Sequence, residues 1–425
     1  MTDQTQPPGW TRRHALISAA ATGAAAACPT LSAAAEIDVI KVTWVSPQTG
    51  PLAPFGVSDR YVSQALAPML SAGVPAPDGR QRRIELTLVD AASSPPRAAQ
   101  LAQEAIAAGA HLVVATATPE MCNPVADVCE AAAMPCVTAN APWQAWYYGR
   151  GATPTKGFDW TFHFFCGLED FADVYSSLLA KARLGKTVGG LYGNDLDADA
   201  FLKAFPGAFD KKGLSLSVPY RVDLAQPDWS ALALQFKRDG VRMVTGVLPP
   251  PAAIAFFDAA RKVDYQPAMA SIAKAFVFPE TAAQVHRPGL TLTNEVWWSP
   301  AWPFRSTLTG QKAEQVAQEY EEKTGKPWVQ ALGFSHALVD VAAAIFRETP
   351  STSREDVRQT IERLRVHTVV GPVNWRDRHP NRNVCTTPAV GGQWQRNDKG
   401  RWILEVVDNS RYLMIPVTSP LQVAT

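Results

Sequence analysis

The chain has 425 residues, which is long enough for two domains with separate cores. Its formal net charge of +1 argues against nucleic acid or an anionic membrane surface as a partner. With 47% hydrophobic and 19% charged residues, the composition is that of an ordinary soluble globular protein.

The first 35 residues predict an export signal. A twin-arginine pair at residues 12–13 precedes a mildly apolar, alanine-rich run at 15–27 and a small-residue cleavage site at 33–35. The run is too short and too weakly hydrophobic to span a membrane, and no later run is long enough. Lipid attachment at Cys28 is an alternative, although the leucine typical of such sites is missing. We therefore predict a periplasmic protein, exported by the twin-arginine route and not inserted in the membrane after cleavage.

The predicted mature chain contains five cysteines, an odd number that leaves at least one unpaired in an oxidising compartment. They are Cys122, Cys129, Cys136, Cys166 and Cys385. A bridge between Cys122 and Cys136 and a set of buried, unpaired thiols remain open alternatives.

Strands and helices alternate in the first part of the predicted mature chain. Strands are predicted at 37–45, 84–90, 111–117 and 136–138, and helices at 57–72, 94–108 and 124–133. This alternation predicts a parallel sheet. The loops after the strands at 111–117 and 136–138 lie at the carboxyl edge of that sheet, where open α/β sheets bind ligands. We therefore expect the functional site at this edge.

A second series of the same kind follows, and two such series predict two doubly wound lobes. Strands are predicted at 160–165, 187–192, 214–222, 241–248 and 268–272, and helices at 168–184, 197–212, 228–239 and 251–263. We predict Asp197 to be the N-cap of its helix. The last third departs from the rhythm, with strands at 290–299, 369–374, 391–394 and 402–407 and helices at 308–324, 330–346 and 354–364.

The sequence shows no motif of a catalytic or cofactor site. It contains no Gly-x-Ser-x-Gly motif, and its seven histidines form no pair with metal-ligand spacing. The glycines at 189, 190 and 193 follow a strand but do not match a dinucleotide fingerprint. We therefore expect no enzyme activity, no cofactor and no metal.

Five segments together resemble one family. They are IKVTWVSPQTGPLAPFG, NPVADVCEAAAMPCVTANAP, LYGNDLDADAFLKAF, DWSALALQFKRDGVRMVTGVLPPPAAIAFFDAARKV and TVVGPVNWRDRHPNRNVCTTPAVGGQW. In this order they resemble the type I periplasmic binding proteins, specifically the leucine/isoleucine/valine-binding family of ABC importers. The resemblance covers almost everything after Glu36.

The resemblance implies two doubly wound parallel-sheet α/β lobes, joined by a multi-strand hinge, that close on a small-molecule solute. It implies lobe 1 at 36–160 and 296–385, and lobe 2 at 161–295 and 386–417. An ABC transporter permease is the implied partner, and we expect the protein to be a monomer. A ligand-sensing module of a receptor system and an exported α/β enzyme are the alternatives from other classes.

In this family the first lobe holds a ligand carboxylate at the loop that opens the central helix, and a helix N-terminus independently favours an anion. We predict that Thr116, Thr118 and the backbone of Pro119, Glu120 and Met121 hold the anionic end. Phe55, Asn140 and Trp143 are predicted to form the first-lobe wall. Tyr192, Asp197, Leu248, Pro249 and Lys274 are predicted to close the site from the second lobe.

Two departures from the family pattern argue against an α-amino acid ligand. Amino-acid binders of this family carry a tyrosine where this chain has Leu248 and Pro249. They also carry an acid that pairs with the ligand ammonium, whereas this chain has Ser271 and Lys274 in that segment. A small carboxylate with an aromatic or otherwise unsaturated group is the favoured ligand, and a branched-chain amino acid is the alternative. The clusters of aromatic residues at 143–148 and 297–302 would suit stacking on a flat ligand or packing inside and between the lobes.

Overall fold

The computed structural model describes residues 37–423. The predicted export signal and Cys28 lie outside the described residues. Within the described range, no helix combines the length and the apolar character needed to cross a membrane.

The first lobe is built on a sheet in which seven strands of the described chain lie in the order β14-β6-β5-β4-β1-β3-β2. Its strands are β1 Ile37–Ser46, β2 Val74–Pro75, β3 Gln81–Asp90, β4 Leu112–Ala115, β5 Cys136–Ala139, β6 Thr161–Phe164 and β14 Val384–Cys385. Apart from the antiparallel β2–β3 pair, the described neighbours are parallel. The helices of its βα units are α1 Asp59–Ala72, α2 Pro95–Ala107, α3 Pro119–Ala131 and α4 Trp143–Tyr147.

The second lobe repeats this plan with seven strands of the described chain in the order β16-β15-β11-β10-β9-β7-β8. They are β7 Thr187–Tyr192, β8 Ser215–Ser217, β9 Met243–Leu248, β10 Met269–Lys274, β11 Thr291–Val296, β15 Val390–Arg396 and β16 Trp402–Asp408. The strands from β7 to β11 pair in parallel, and β15 and β16 add an antiparallel edge. Its helices are α5 Leu168–Ala182, α6 Leu196–Lys211, α7 Trp229–Arg238, α8 Pro250–Lys262 and α9 Pro279–Val285.

The remaining elements return to the first lobe. They are α10 Ala313–Thr324, α11 Gln330–Glu348, α12 Arg354–Arg363 and the hairpin strands β12 Arg365–Thr368 and β13 Gly371–Asn374. Helix α11 contacts α1 and β5, so its apolar surface lies against the first sheet. Between residues 37 and 423 the chain therefore passes from one lobe to the other three times, after β6, after β11 and after β14.

The predicted fold of two doubly wound lobes is confirmed. The physical basis is visible in the strands: β4, β5 and β9 are buried along their whole length, because neighbouring elements cover both faces of each sheet. Strand β6 pairs with β5 in the first sheet, although the sequence-based division placed residues from 161 onward in the second lobe.

The helix predicted at 124–133 begins earlier in the structure than in the prediction. Helix α3 begins at Pro119 rather than at residue 124. Proline is tolerated in the first turn of a helix because its missing N–H would have no partner there. Pro119 takes that position, with Thr118 as the N-cap residue, and Pro124 follows inside the helix. Residues 119–123, which lie before the predicted helix, are therefore helical.

The five cysteines of the described chain are free and buried. The Cys122 sulfur lies 3.3 Å from the carbonyl oxygen of Ala139, rather than in a bridge to Cys136. Of the two alternatives, the structure shows the set of buried, unpaired thiols.

Candidate ligand-binding site

A small cavity lies between the two lobes. It is placed where the carboxyl ends of β5, β9, β10 and β11 converge, as expected for parallel sheets. The first lobe and the first connecting segment line it with Phe55, Thr118, Pro119, Asn140, Pro142 and Phe165, and the second lobe with Phe171, Asp197, Phe201, Val247, Ala273, Lys274, Val277, Glu295 and Trp297.

Five of the fifteen residues that line the cavity are aromatic. Phe165 lies edge-on to Trp297 with ring centroids 5.3 Å apart, and Phe171 lies edge-on to Phe201 at 5.7 Å. Phe55 reaches across from the first lobe to Phe278 at 5.0 Å and joins the two lobes beside the cavity. Such walls suit a flat, apolar group on the ligand.

An ion cluster stands at one end of the cavity and connects the lobes. Lys274 pairs with Asp197 of the second lobe and, at 3.3 Å, with Glu120 of the first. The side chains of Lys274 and Asp197 are 18% and 5% exposed, whereas that of Glu120 is 42% exposed. Burial lowers the pKa of Lys274, but the two carboxylates outweigh that effect and leave the pKa above its ordinary value. Lys274 is therefore a stable cation at the cavity wall.

Helix capping leaves Asp197 free to join this cluster. Asp195, not Asp197 as predicted, is the N-cap of α6, and its carboxylate accepts a hydrogen bond of 2.8 Å from the backbone N–H of Ala198. Because α6 begins one residue before Asp197, the Asp197 side chain lies within the first turn and reaches the ammonium of Lys274. Lys274 itself has a φ of +63° and a ψ of −49°, a strained conformation for a residue with a side chain. Such strain is concentrated at functional sites.

Two further polar side chains line the cavity without a charged partner. The side-chain amide of Asn140 is buried, and neither of its polar atoms has a hydrogen-bond partner among the described residues. Glu295 is 2% exposed and accepts a hydrogen bond from the Tyr175 hydroxyl. Burial raises the pKa of Glu295 to about 7, although the hydrogen bonds it accepts act in the opposite direction.

Six of the predicted site residues line this cavity: Phe55, Thr118, Pro119, Asn140, Asp197 and Lys274. Glu120 contacts the site through Lys274 and also lines a larger, adjoining cavity, which shares Pro119 and Asp197 with the first. The cleft thus continues outward past the ion cluster.

The structure places the other six predicted residues away from the cavity surface. The Thr116 hydroxyl donates to Asp59 and accepts from the Trp44 indole, each at 3.0 Å, and is therefore committed to the interior of the first lobe. Trp143 donates its indole N–H to Glu169 at 3.0 Å. The remaining four are buried or capping residues of the elements behind the wall: Met121 in α3, Tyr192 in β7, Leu248 in β9 and Pro249 at the N-cap of α8.

Sequence reasoning missed nine lining residues: Pro142, Phe165, Phe171, Phe201, Val247, Ala273, Val277, Glu295 and Trp297. Trp297 lay in a noted aromatic cluster, and it both lines the cavity and packs between the lobes. Phe171 and Phe201 occupy apolar helix faces that resemble ordinary core positions. Glu295 carried a usable signal, since an acid within the apolar strand TLTNEV calls for a reason.

The buried carboxyl of Asp59 is expected to make the stability of the protein depend on pH, and the substitution Asp59→Asn measures its share. Burial raises the pKa of Asp59 to about 6, so the folded state binds a proton that the unfolded state releases between about pH 4 and 6. The stabilisation from Asp59 is therefore lost as pH rises. We expect Asp59→Asn to gain stability relative to the wild type from pH 4 to pH 8, by on the order of 3 kcal/mol.

Urea unfolding of both proteins at each pH measures this difference. The comparison with the wild type is needed because burial lowers the pKa of His163 to about 3, which gives the opposite pH dependence in both proteins. A difference that does not change with pH would contradict the prediction.

Two α/β lobes with a cavity between them, lined in part by aromatic rings, have the architecture of a bilobal ligand-binding protein. Residues 39–398 match the family model described as periplasmic binding protein, and the chain belongs to that family. The resemblance to type I periplasmic binding proteins is thereby confirmed. Proteins of this family bind solutes and are not enzymes, and membership implies a periplasmic location.

Solved structures with the same fold include a leucine-binding protein from Thermotoga maritima, at 18% identity and a TM-score of 0.70, covering 88% of this chain and 100% of that one. A solute-binding protein of an ABC transporter from Rhodopseudomonas palustris, in complex with 3,4-dihydroxybenzoic acid, has 16% identity and a TM-score of 0.69, covering 87% and 97%. Another from R. palustris, in complex with 4-hydroxybenzoate, has 17% identity and a TM-score of 0.68, covering 87% and 96%. No curated protein sequence matches the chain.

Proposed function

We propose that this chain is the exported solute-binding protein of an ABC importer and that it traps a small aromatic carboxylate between its lobes. The observation that carries the proposal is the interlobe cavity, whose lining includes five aromatic residues and the cation of Lys274. The two structural relatives that hold hydroxybenzoates support the ligand class by analogy. Export by the twin-arginine route and delivery to a permease are parts of the same proposal.

The ligand carboxylate has a place at the ion cluster. Glu120 is exposed and lies 3.3 Å from Lys274, so a ligand carboxylate can replace it there while Asp197 stays paired. The first turn of α3, which supplies Pro119 to the wall, favours an anion through the positive end of the helix dipole. The ring would then lie between the aromatic residues of the two lobes, and Asn140 would donate or accept a hydrogen bond from the first lobe.

Closure follows from these contacts. A ligand that touches Asn140 on one lobe and Lys274 on the other favours the closed state by its extra contacts in that state. In the family as a whole, bound solutes are delivered to ABC transporter permeases. Among the described residues, no group of acidic, histidine or cysteine side chains could hold a metal ion.

A thermal-shift panel tests the proposal. We expect benzoate, 4-hydroxybenzoate or cinnamate to raise the melting temperature, because a ligand at 100 times its Kd stabilises the folded state by about 2.7 kcal/mol. Leucine and succinate serve as the amino-acid and non-aromatic controls. A shift with leucine and none with the aromatic acids would overturn the proposed ligand class.

A further inference from the structure

Glu295 is a buried acid that the proposed carboxylate contact leaves unused. It lies near the end of β11, is 2% exposed, and lines the cavity beside Trp297. Among residues 37–423 no basic side chain lies within ion-pair distance of it. A carboxyl in an apolar cavity is unfavourable unless hydrogen-bond donors or a cation compensate it. Its position on the wall indicates that the ligand supplies part of that compensation.

The surrounding residues hold Glu295 in one orientation. The Tyr175 hydroxyl donates to one carboxylate oxygen and lies 3.2 Å from the side-chain oxygen of Asn294. The Gln330 amide clamps the backbone, donating to the carbonyl of Glu295 at 3.1 Å and accepting from the N–H of Trp297 at 2.7 Å. Groups that bind ligands specifically are commonly fixed by such supporting hydrogen bonds.

The other polar groups of the cavity complete a recognition pattern. Lys274 ends β10 and Glu295 lies near the end of β11, the neighbouring strand, so one wall offers both a cation and an acceptor. Asn140 faces the cavity from the opposite lobe with its amide unpaired within the described chain. A ligand with only a carboxylate and a bare ring would leave Glu295 with protein donors alone, the Tyr175 hydroxyl and the Trp297 side chain.

We propose that Glu295 accepts a hydrogen bond from a hydroxyl or amino group on the ligand ring, so that the preferred solute is a hydroxylated or amino-substituted aromatic carboxylate. This inference rests on the proposed function and narrows its substrate class. A hydrogen bond to a charged acceptor typically changes affinity by about tenfold to a hundredfold, and Glu295 carries a charge above its pKa of about 7. Glu295 is then a specificity-determining residue.

Calorimetric titration with matched ligands tests the inference on the wild-type protein. The series is benzoate, 4-methoxybenzoate, 3- and 4-hydroxybenzoate and 4-aminobenzoate, in which only the last three carry a donor. We expect at least one donor-bearing ligand to bind about tenfold or more tightly than both benzoate and the methoxy compound. Equal affinities throughout the series would overturn the inference and leave the proposed function standing.

Glu295→Gln and Glu295→Leu test the residue itself. We expect the ratio of affinities between the donor-bearing ligand and benzoate to fall in Glu295→Gln and to approach one in Glu295→Leu. Glu314→Gln, at an exposed acid of α10, is the matched control and should keep the wild-type preference. An unchanged preference in Glu295→Leu would overturn the inference. If a variant does not fold, the wild-type series decides.

Phenol, tyramine and aniline, which lack the carboxylate, separate the two proposals. One informative result is that these compounds bind to the wild type and not to Glu295→Leu, while none of the carboxylates binds to the wild type. That result would support the role of Glu295 and refute the carboxylate class. If the protein binds nothing in either panel, both are overturned.

Discussion

Replacing Lys274 by methionine is expected to lower the free energy of unfolding by about 3 to 5 kcal/mol. The reason is the carboxylate left behind: Asp197 is 5% exposed and has Lys274 as its ion-pair partner. Breaking a buried pair from one side leaves an uncompensated charge, which costs far more than the intact pair contributes. The same substitution removes the proposed partner of the ligand carboxylate, so binding of aromatic acids should be lost as well.

Urea unfolding of the purified protein measures the first effect, and titration with an aromatic carboxylate measures the second. Lys203→Met is the matched control, because Lys203 also projects from the cleft wall but is exposed, and its loss should change stability by less than about 1 kcal/mol. The double variant Lys274→Met/Asp197→Asn should recover most of the lost stability, because neither buried position of the ion cluster then carries a charge. A Lys274→Met protein as stable as Lys203→Met would refute the role of the ion cluster.

Replacing Gly246 by alanine is expected to destabilise the second lobe by about 3 kcal/mol or more. Gly246 lies in β9, paired with Leu191 of β7, and a Cβ atom at this position would overlap the carbonyl oxygen of Leu191. The obstacle is backbone, which cannot move without shifting the strand pairing. Because Val247 follows directly in the cavity wall, the distortion should also weaken ligand binding.

Gly207→Ala provides the control for this substitution. Gly207 lies in α6, and a Cβ atom there would meet nothing within 4 Å. Alanine is the better helix former, so this variant should be more stable than the wild type by about 0.5 to 1 kcal/mol. Thermal or urea unfolding of both variants measures the contrast. Equal stability of the two would contradict the close approach of β7 and β9.

The ion cluster also changes the expected role of Lys274. From the sequence, Lys274 stands where amino-acid binders carry an acid and appears as a lone cation for a ligand. In the structure its charge is already matched by Asp197 and Glu120, so an anionic ligand must displace the exposed Glu120. The electrostatic gain from binding a carboxylate is then an exchange of partners and is smaller than the gain at an unpaired lysine.

Local pattern accounts for what sequence reasoning predicted well. Buried apolar strands alternating with amphipathic helices determine the two parallel sheets, and the carboxyl edge of a parallel sheet determines where a ligand can enter. Phe55, Thr118 and Asn140 were predicted because each follows such a strand or its loop. Their participation in binding stays a prediction until a ligand is tested.

Errors arose where a choice between near neighbours depended on packing. Three alternating aspartates, Asp195, Asp197 and Asp199, all resemble helix caps, and the residue at which α6 begins decides between them. In a regular strand Thr116 and Thr118, two residues apart, would point to the same face, but Ala117 between them has a φ of +108° and interrupts the extended backbone. The Thr116 hydroxyl turns into the lobe toward Asp59, while Thr118 reaches the cavity.

The sequence by itself determined the fold class of this protein, its family and the sheet edge at which its site lies, because these follow from periodicity and motifs within short segments. Only the tertiary structure decided which side chains meet. Phe165, Phe201, Lys274 and Glu295 are distant in the chain and share one cavity because two sheets direct their carboxyl ends to the same cleft. The partners of Lys274 and Glu295 depend on contacts between separate elements, and no local pattern encodes those contacts.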